Sequence, residues 1–170
     1  MYGPKGVGML YVKRGTLNIT RAGTENIPGI MGFAYALELV EKMREKETAR
    51  ISELKSFFIN ELKKINPEIK INGSLENSSP HILNVSIPNI DNEFFILQLD
   101  AKGIECSTKS ACLRDEDESY VLKAIGASLP RQASSKNSVR FSFGRETKMG
   151  DLKKVLKVIK RTIIPTNVLH

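Results

Sequence analysis

A helical repeat of apolar residues over positions 30–65 constrains the fold more than any other feature of the sequence. Apolar residues recur every three or four positions on both sides of a polar stretch around Lys46, which is the spacing of one buried helix face. The repeat comprises Ile30, Phe33, Leu37, Val40, Ile51, Leu54, Phe58, Leu62 and Ile65. We expect one very long helix, or two helices with a kink, with Asn26 as the N-cap and Pro28 in the first turn. The helix should end before Pro67.

After this helix, short strand-like segments alternate with short amphipathic ones. Runs with alternating or β-branched residues predict strands at 68–72, 81–88, 104–106 and 138–144, and an earlier one at 7–13. Helical spacing predicts helices at 93–102, 118–126 and 149–163. The first of these has Asp91 or Asn92 as a cap and Gly103 at its end. This order predicts an α/β domain in which a small mixed or antiparallel sheet is covered by helices.

Composition and charge argue against several classes of function. The net charge of +7 is moderate, only 6% of residues are aromatic and no arginine-rich block occurs, so we expect a solvated basic surface rather than a nucleic-acid binder. Two cysteines and two histidines are too few for a disulfide scaffold or an all-protein zinc site. Since no apolar run approaches the roughly 20 residues that span a bilayer and no signal peptide is evident, we expect no membrane partner and a cytoplasmic location.

The two cysteines share one segment, CSTKSAC, but differ in their surroundings. Cys106 stands at the end of a predicted strand, where a small buried hydrophobic residue is the favoured interpretation. Cys112 follows a polar stretch and precedes the acidic residues 115–117. Lys109 and Arg114 would favour its thiolate, whereas the acidic residues would oppose it. The residues alone leave a nucleophilic Cys112 and an incidental surface cysteine equally open.

Two further polar features are compatible with anion binding. Arg140 alternates with Phe141 and Phe143 on a predicted strand, so its side chain points away from the two rings. An arginine placed in this way either snorkels to water or clamps a carboxylate. The segment TRAGTEN puts Thr24 just ahead of the long helix, where a hydroxyl and backbone N–H groups can bind phosphate. Many helices begin with Thr and Asn, so this second feature carries little weight alone.

Six segments in a fixed order connect the sequence to a known family. They are YGPKGVGMLYVKRGT, RAGTENIPGIMGFAYAL, PHILNVSIP, STKSAC, SYVLKAIG and SVRFSFGR, and together they span almost the whole chain. In this combination the chain resembles the C-terminal part of the NifS-type cysteine desulfurases, which are pyridoxal-phosphate-dependent, fold-type-I enzymes of the class-V aminotransferase family. The resemblance implies that residues 1–28 are the tail of a large cofactor-binding domain and 29–66 a long connecting helix. Residues 67–170 would then be the C-terminal small domain that carries the cysteine loop.

The resemblance implies roles for three residues. Cys112 matches the nucleophile that takes sulfur from L-cysteine as a persulfide, and Arg140 matches the arginine that binds the substrate carboxylate. Thr24 matches the threonine that reaches the pyridoxal phosphate of the other subunit in a homodimer. The implied reaction releases L-alanine and passes sulfur to an acceptor protein, such as an iron–sulfur scaffold or a tRNA-thiolation protein. No role transfers to Cys106.

The sequence departs from the family pattern in two places. The lysine that anchors the cofactor would stand just before YGPKG, so we expect this chain to lack it, and Lys5 in the following turn is not expected to replace it. A glycine-rich segment between YVKRGT and RAGTEN is also expected to be missing. We therefore expect the chain alone to be inactive. The alternatives that stay open are another class-V activity, such as selenocysteine lyase, and a non-catalytic module that dimerises and relays sulfur through Cys112.

Overall fold

The computed structural model describes residues 2–13, 15, 23–108, 119–125 and 137–163. Contacts between residues divide the chain into two compact units, Met1–Glu47 and Thr48–His170. The boundary lies inside the longest helix, so this helix contributes to both units. The assignment of residues 1–28 and 67–170 to a large and a small domain stays a prediction.

The long helix, α1, runs without interruption over Ile27–Ile65 and is 39 residues long. The Asn26 side chain caps it, because its Oδ1 accepts a hydrogen bond from the Gly29 N–H at 3.1 Å. Pro28 lies in the first turn, where a missing N–H costs nothing. The helix stops two residues before Pro67, which could not have continued it. The predicted single helix is confirmed, together with its cap and its end.

In the first unit, the predicted strand at residues 7–13 is wrong, since this segment has no regular structure. A strand is stable only when another strand satisfies its backbone, and no described residue pairs with this one. The segment lies instead against the first turns of α1. A Cβ added at Gly29 would come within 2.6 Å of Val7 Cγ1, and one at Gly32 within 3.0 Å of Pro4 Cγ. Glycine at these two positions therefore allows the close approach.

In the second unit, the described strands form a three-stranded antiparallel sheet in the order β1-β2-β3. The strands are β1 at Lys70–Ile71, β2 at Ile82–Ser86 and β3 at Ser138–Ser142. The register pairs Asn84 with Arg140 and Val85 with Val139. The predicted strand at 104–106 is wrong, since these residues have no regular structure. The next residue, Ser107, makes one isolated bridge to Arg140, on the side of β3 away from β2. The predicted α/β class with a small antiparallel sheet is confirmed.

Three described helices follow α1, namely α2 at Asn92–Asp100, α3 at Tyr120–Ala124 and α4 at Met149–Ile163. Asp91 caps α2 by accepting a hydrogen bond from the Phe94 N–H at 2.9 Å. Gly103, just after the end of α2, has a φ of 72°, the left-handed conformation expected for it. The predicted helix positions therefore agree with α1 to α4, and the predicted caps agree at α1 and α2. The predicted end of α3 at Gly126 lies outside the described residues.

The core of the second unit lies between one face of the sheet and helices α1, α2 and α4. Phe58 of α1 packs edge-on against Phe141 of β3, with ring centroids 5.1 Å apart. Helix α4 buries Leu152, Leu156 and Ile159 as predicted. The other buried residues of this core include Ile51, Leu54, Leu62, Leu83, Val85, Ile87, Phe95, Leu99 and Val139.

Among the described residues, no helix combines the length and hydropathy that crossing a bilayer requires. Within the same residues, no group of three or more His, Cys, Asp or Glu side chains is placed to hold a metal ion.

Candidate functional site

The face of the sheet opposite the core is polar, and Arg140 stands on it. Val139 and Phe141 are buried on the core side, whereas Arg140 between them is only half-buried. The predicted orientation, away from the phenylalanine rings, follows from this alternation. Within the described residues, no carboxylate lies within ion-pair distance of Arg140 and no hydrogen-bond acceptor contacts its guanidinium. Among the described residues, none uses the donors of this guanidinium.

A cavity of about 380 Å³ opens over this polar face. Arg140 and Asn84 form part of its floor, the loop after β1 forms one wall, and Thr108 and helix α3 border the other side. Its volume falls at the lower end of the range for small-molecule sites. Because all of its lining residues belong to the second unit, it is one site within one folded body.

A polar side-chain network fixes the floor of this cavity. The Asn72 amide Nδ2 donates a hydrogen bond of 2.6 Å to Asn84 Oδ1 and one of 2.9 Å to Ser86 Oγ. The backbone supports the same alignment, since the Asn72 N–H donates to the Asn84 carbonyl at 3.0 Å. Sequence reasoning identified Asn72 only as part of an Asn-Gly turn and assigned nothing to Asn84.

Lys55 of α1 borders the same cavity and was not singled out from the sequence. Its Nζ is buried and donates to Ser78 Oγ at 2.8 Å and to the Ser79 carbonyl at 2.9 Å. Burial lowers the pKa of this ammonium from its ordinary value. The lysine attaches the loop that forms the cavity wall to α1. The sequence gives no sign that Lys55 holds this loop, because the groups that accept its hydrogen bonds lie 23 and 24 residues further along the chain.

The start of the cysteine loop is bonded directly to Arg140. The Arg140 N–H donates to the Ser107 carbonyl at 2.7 Å, and the Ser107 N–H donates to the Arg140 carbonyl at 3.1 Å. Cys112 itself, like residues 109–118 around it, lies outside the described residues. It follows Thr108 by four residues, so covalent geometry keeps its Cα within about 14 Å of the Thr108 Cα. Thr108 lines the cavity.

Cys106 is placed as the sequence predicted for a structural cysteine. It is half-buried and packs against the hydrophobic core. Burial, with a smaller contribution from the negative charge of Asp100, raises the pKa of its thiol to about 11. The thiol therefore stays protonated near neutral pH, where a nucleophile would need the thiolate.

Thr24 lies in the first unit, exposed, just before α1. The helix amides behind it are already engaged, because the Gly29 N–H binds Asn26 Oδ1 and the Ile30 N–H binds the Asn26 carbonyl at 2.9 Å. The Ile27 N–H is bonded as well, to the Glu25 carbonyl at 3.0 Å. These three α1 amides are therefore not available to a phosphate, and the predicted role of Thr24 stays a prediction.

Comparisons with known proteins agree with the resemblance drawn from the sequence. Residues 15–155 match the family model described as aminotransferase class-V. The chain is 38% identical over 174 residues to cysteine desulfurase IscS of Dictyoglomus turgidum, covering 95% of this chain and 43% of that protein. It is 37% identical over 176 residues to cysteine desulfurase IscS of Clostridium botulinum strain Hall, covering 95% and 44%.

The fold leads to the same family. A solved structure described as a NifS-like protein superimposes with a TM-score of 0.76 at 27% identity, covering 95% of this chain and 43% of the other. The chain spans less than half the length of the relatives it matches. It belongs to the class-V aminotransferase family, and within that family its relatives are the IscS and NifS cysteine desulfurases.

Proposed function

We propose that this chain is the part of a pyridoxal-phosphate-dependent cysteine desulfurase that binds the substrate carboxylate and carries the sulfur. The observation that supports this most directly is the link between Arg140 and the cysteine loop. The donor-only side chain of Arg140 faces the cavity, and its backbone is bonded to Ser107, from which the loop departs. The proposed carboxylate receptor is thus bonded through its backbone to the first residues of the cysteine loop.

Arg140 binds and orients the substrate. Its guanidinium offers paired N–H donors that match the two oxygens of an α-carboxylate. A carboxylate held there fixes one end of L-cysteine over the sheet and leaves the thiol at the other end for attack by Cys112. Orientation of this kind lowers the barrier by removing the entropy of bringing the reacting groups together.

Cys112 performs the sulfur transfer. Its thiolate attacks the sulfur of the bound cysteine, an S–S bond forms, and the C–S bond of the substrate breaks. The electron pair stays on the substrate carbon, which takes up a proton to give L-alanine, and Cys112 is left as a persulfide. The cofactor, when bound, supplies the electron withdrawal that makes this cleavage possible. The persulfide then passes its outer sulfur to an acceptor thiol.

Thr24 is the residue for which we propose a contact with the cofactor phosphate, made to the other subunit of a homodimer. The acceptor protein, an iron–sulfur scaffold or a tRNA-thiolation protein, is proposed from the family resemblance and from no feature of the site.

The test is the formation of L-alanine from L-cysteine by the complete gene product that contains this chain. Wild type and Cys106→Ala should both release alanine, whereas Cys112→Ala should keep the absorbance of bound pyridoxal phosphate and release none. Alanine formation by Cys112→Ala at the wild-type rate would contradict the assigned role. A selenocysteine lyase, the nearest alternative, would release alanine from selenocysteine and not from cysteine.

A further inference from the structure

We propose that Asn84 is a second donor to the substrate carboxylate beside Arg140, and that Asn72 is the positioning residue that turns the Asn84 amide toward it. This inference rests on the proposed function, because it adds a specificity determinant to the same cavity. Three observations carry it: the strand register, the hydrogen bonds of Asn84, and the donor-only chemistry of its neighbour.

The register places the two side chains together. Asn84 of β2 is the direct partner of Arg140 of β3. Directly opposite residues on one face of an antiparallel pair have Cβ atoms about 4.5–5.5 Å apart. Both side chains line the cavity, and the flanking residues Leu83 and Val85 are buried on the other face. An anion seated on the guanidinium is therefore within reach of the Asn84 amide.

The hydrogen bonds determine which end of the amide is available. Asn84 Oδ1 accepts the 2.6 Å hydrogen bond from Asn72 Nδ2, so its oxygen is directed toward β1. Its Nδ2 group has no hydrogen-bond partner among the residues that the structure describes. An amide with its oxygen held and its NH₂ unused presents two N–H donors to the cavity.

No hydrogen bond joins the Asn84 and Arg140 side chains among the described contacts, and Asn84 Oδ1 is directed toward Asn72. A guanidinium carries only donors, and the end of the amide that remains is a donor too. A third group with at least two acceptor oxygens can satisfy both. If Asn84 only attached β1 to β2, its amide oxygen would be sufficient for that role. The NH₂ group would then have no assigned partner among the described residues.

The experiment uses the complete gene product with Cys112→Ala, so that substrate binds without turnover. Calorimetry gives the dissociation constants of L-cysteine and of cysteamine, which lacks the carboxylate. The cysteamine constant divided by the L-cysteine constant is the ratio that measures carboxylate recognition alone. Asn84→Asp keeps an acceptor for Asn72 but puts a negative charge where the donor was. It should lower the ratio roughly 10-fold to 100-fold by weakening L-cysteine binding and leaving cysteamine binding unchanged.

Asn77→Asp is the matched control, because Asn77 lines the same cavity from the exposed loop after β1. It adds the same charge and should change the ratio less than about threefold. Asn84→Ala, which removes the donor without adding a charge, should lower the ratio by roughly 10-fold and serves if the aspartate variant fails to fold. The carboxylate introduced by Asn72→Asp can only accept hydrogen bonds. It should therefore turn the Asn84 NH₂ group toward β1 and also lower the ratio.

The outcomes separate this inference from the proposed function. If Arg140→Leu lowers the ratio and both Asn84 variants leave it at the wild-type value, the role of Asn84 is wrong and the proposed function stands. An equal loss of affinity for both ligands in the Asn84 variants would mean a structural role and would also overturn the inference. A ratio that Arg140→Leu does not change contradicts the proposed carboxylate site itself.

Discussion

The two faces of the β2–β3 pair differ in chemistry although they alternate along the same residues. Val85, Val139 and Phe141 point into a core in which Phe58 contacts two aromatic rings. Between them, Asn84 and Arg140 lie on the other face and line the cavity. The core face fixes the register, and the register in turn sets which polar side chains meet on the other face. The pairing of β2 with β3 therefore supports both the stability and the proposed function. The two properties depend on opposite faces of the sheet.

The largest expected effect comes from the core face. Phe58→Ala removes the ring that packs against Phe141 at 5.1 Å and Phe143 at 5.9 Å, and it leaves a cavity beneath β3. The free energy of unfolding should fall by about 3–5 kcal/mol. Chemical denaturation monitored by circular dichroism measures it. A loss below about 1 kcal/mol would contradict the picture of a tightly packed core face.

A substitution on the cavity face should reduce activity much more than it reduces stability. Arg140→Leu should lower kcat/KM for L-cysteine by roughly 100-fold or more, since a charged hydrogen-bonding group is lost from the substrate site. Its free energy of unfolding should change by less than about 1 kcal/mol, because no described residue binds its side chain. Ser142→Ala, a substitution at an exposed position of the same strand, is the control for both measurements. An arginine variant as unstable as Phe58→Ala would break the distinction between the faces.

A third prediction concerns the end of β3. Arg50 of α1 donates hydrogen bonds to the carbonyls of Thr147, Gly144 and Arg145 at 2.7, 3.2 and 3.0 Å. Arg50→Met leaves these carbonyls without their charged donor and should cost about 1–3 kcal/mol of unfolding free energy. Arg44→Met, on the exposed part of the same helix, should cost less than about 0.5 kcal/mol. Equal effects of the two variants in thermal denaturation would contradict a specific role for Arg50.

The smallest expected effect is a pH dependence of the unfolding free energy that comes from the Cys106 thiol. The pKa of Cys106 is about 11 in the folded chain against an ordinary value of 9.0, so the folded state holds the proton more tightly. This contribution to stability is complete below pH 9 and is lost as the pH rises toward 11. Wild type should lose about 1–2 kcal/mol more than Cys106→Ala over that interval. Denaturation curves that remain parallel from pH 8 to 11 would contradict the buried thiol.

Local signals in the sequence were sufficient for most of the fold. The apolar repeat, Asn26 and Pro67 defined α1, and alternation placed Phe141 and Arg140 on opposite faces of β3. The strand at 7–13 was predicted wrongly because its apolar content is local, whereas a strand also needs a pairing partner. The contacts of Arg50 were not predictable for the same reason, since its acceptors lie 94–97 residues away.

Less of the candidate site than of the fold could be predicted from the sequence. Arg140 was found because alternation and the family motif agree on it, and Cys106 because it ends a strand-like run. Asn72, Asn84 and Lys55 were not, because their importance arises from side-chain pairs that only the register and the loop after β1 create. The roles of Cys112, Arg140 and Thr24 stay predictions.

The most direct test of the account is the location of the transferred sulfur after a single turnover. The complete gene product is mixed with one equivalent of L-cysteine, trapped with an alkylating agent and digested without reductant, and its peptides are weighed by mass spectrometry. The account predicts one additional sulfur atom on the peptide that contains Cys112, formed with one alanine and sharply reduced in Arg140→Leu. Additional sulfur on Cys106, or alanine released with no sulfur on Cys112, would contradict it.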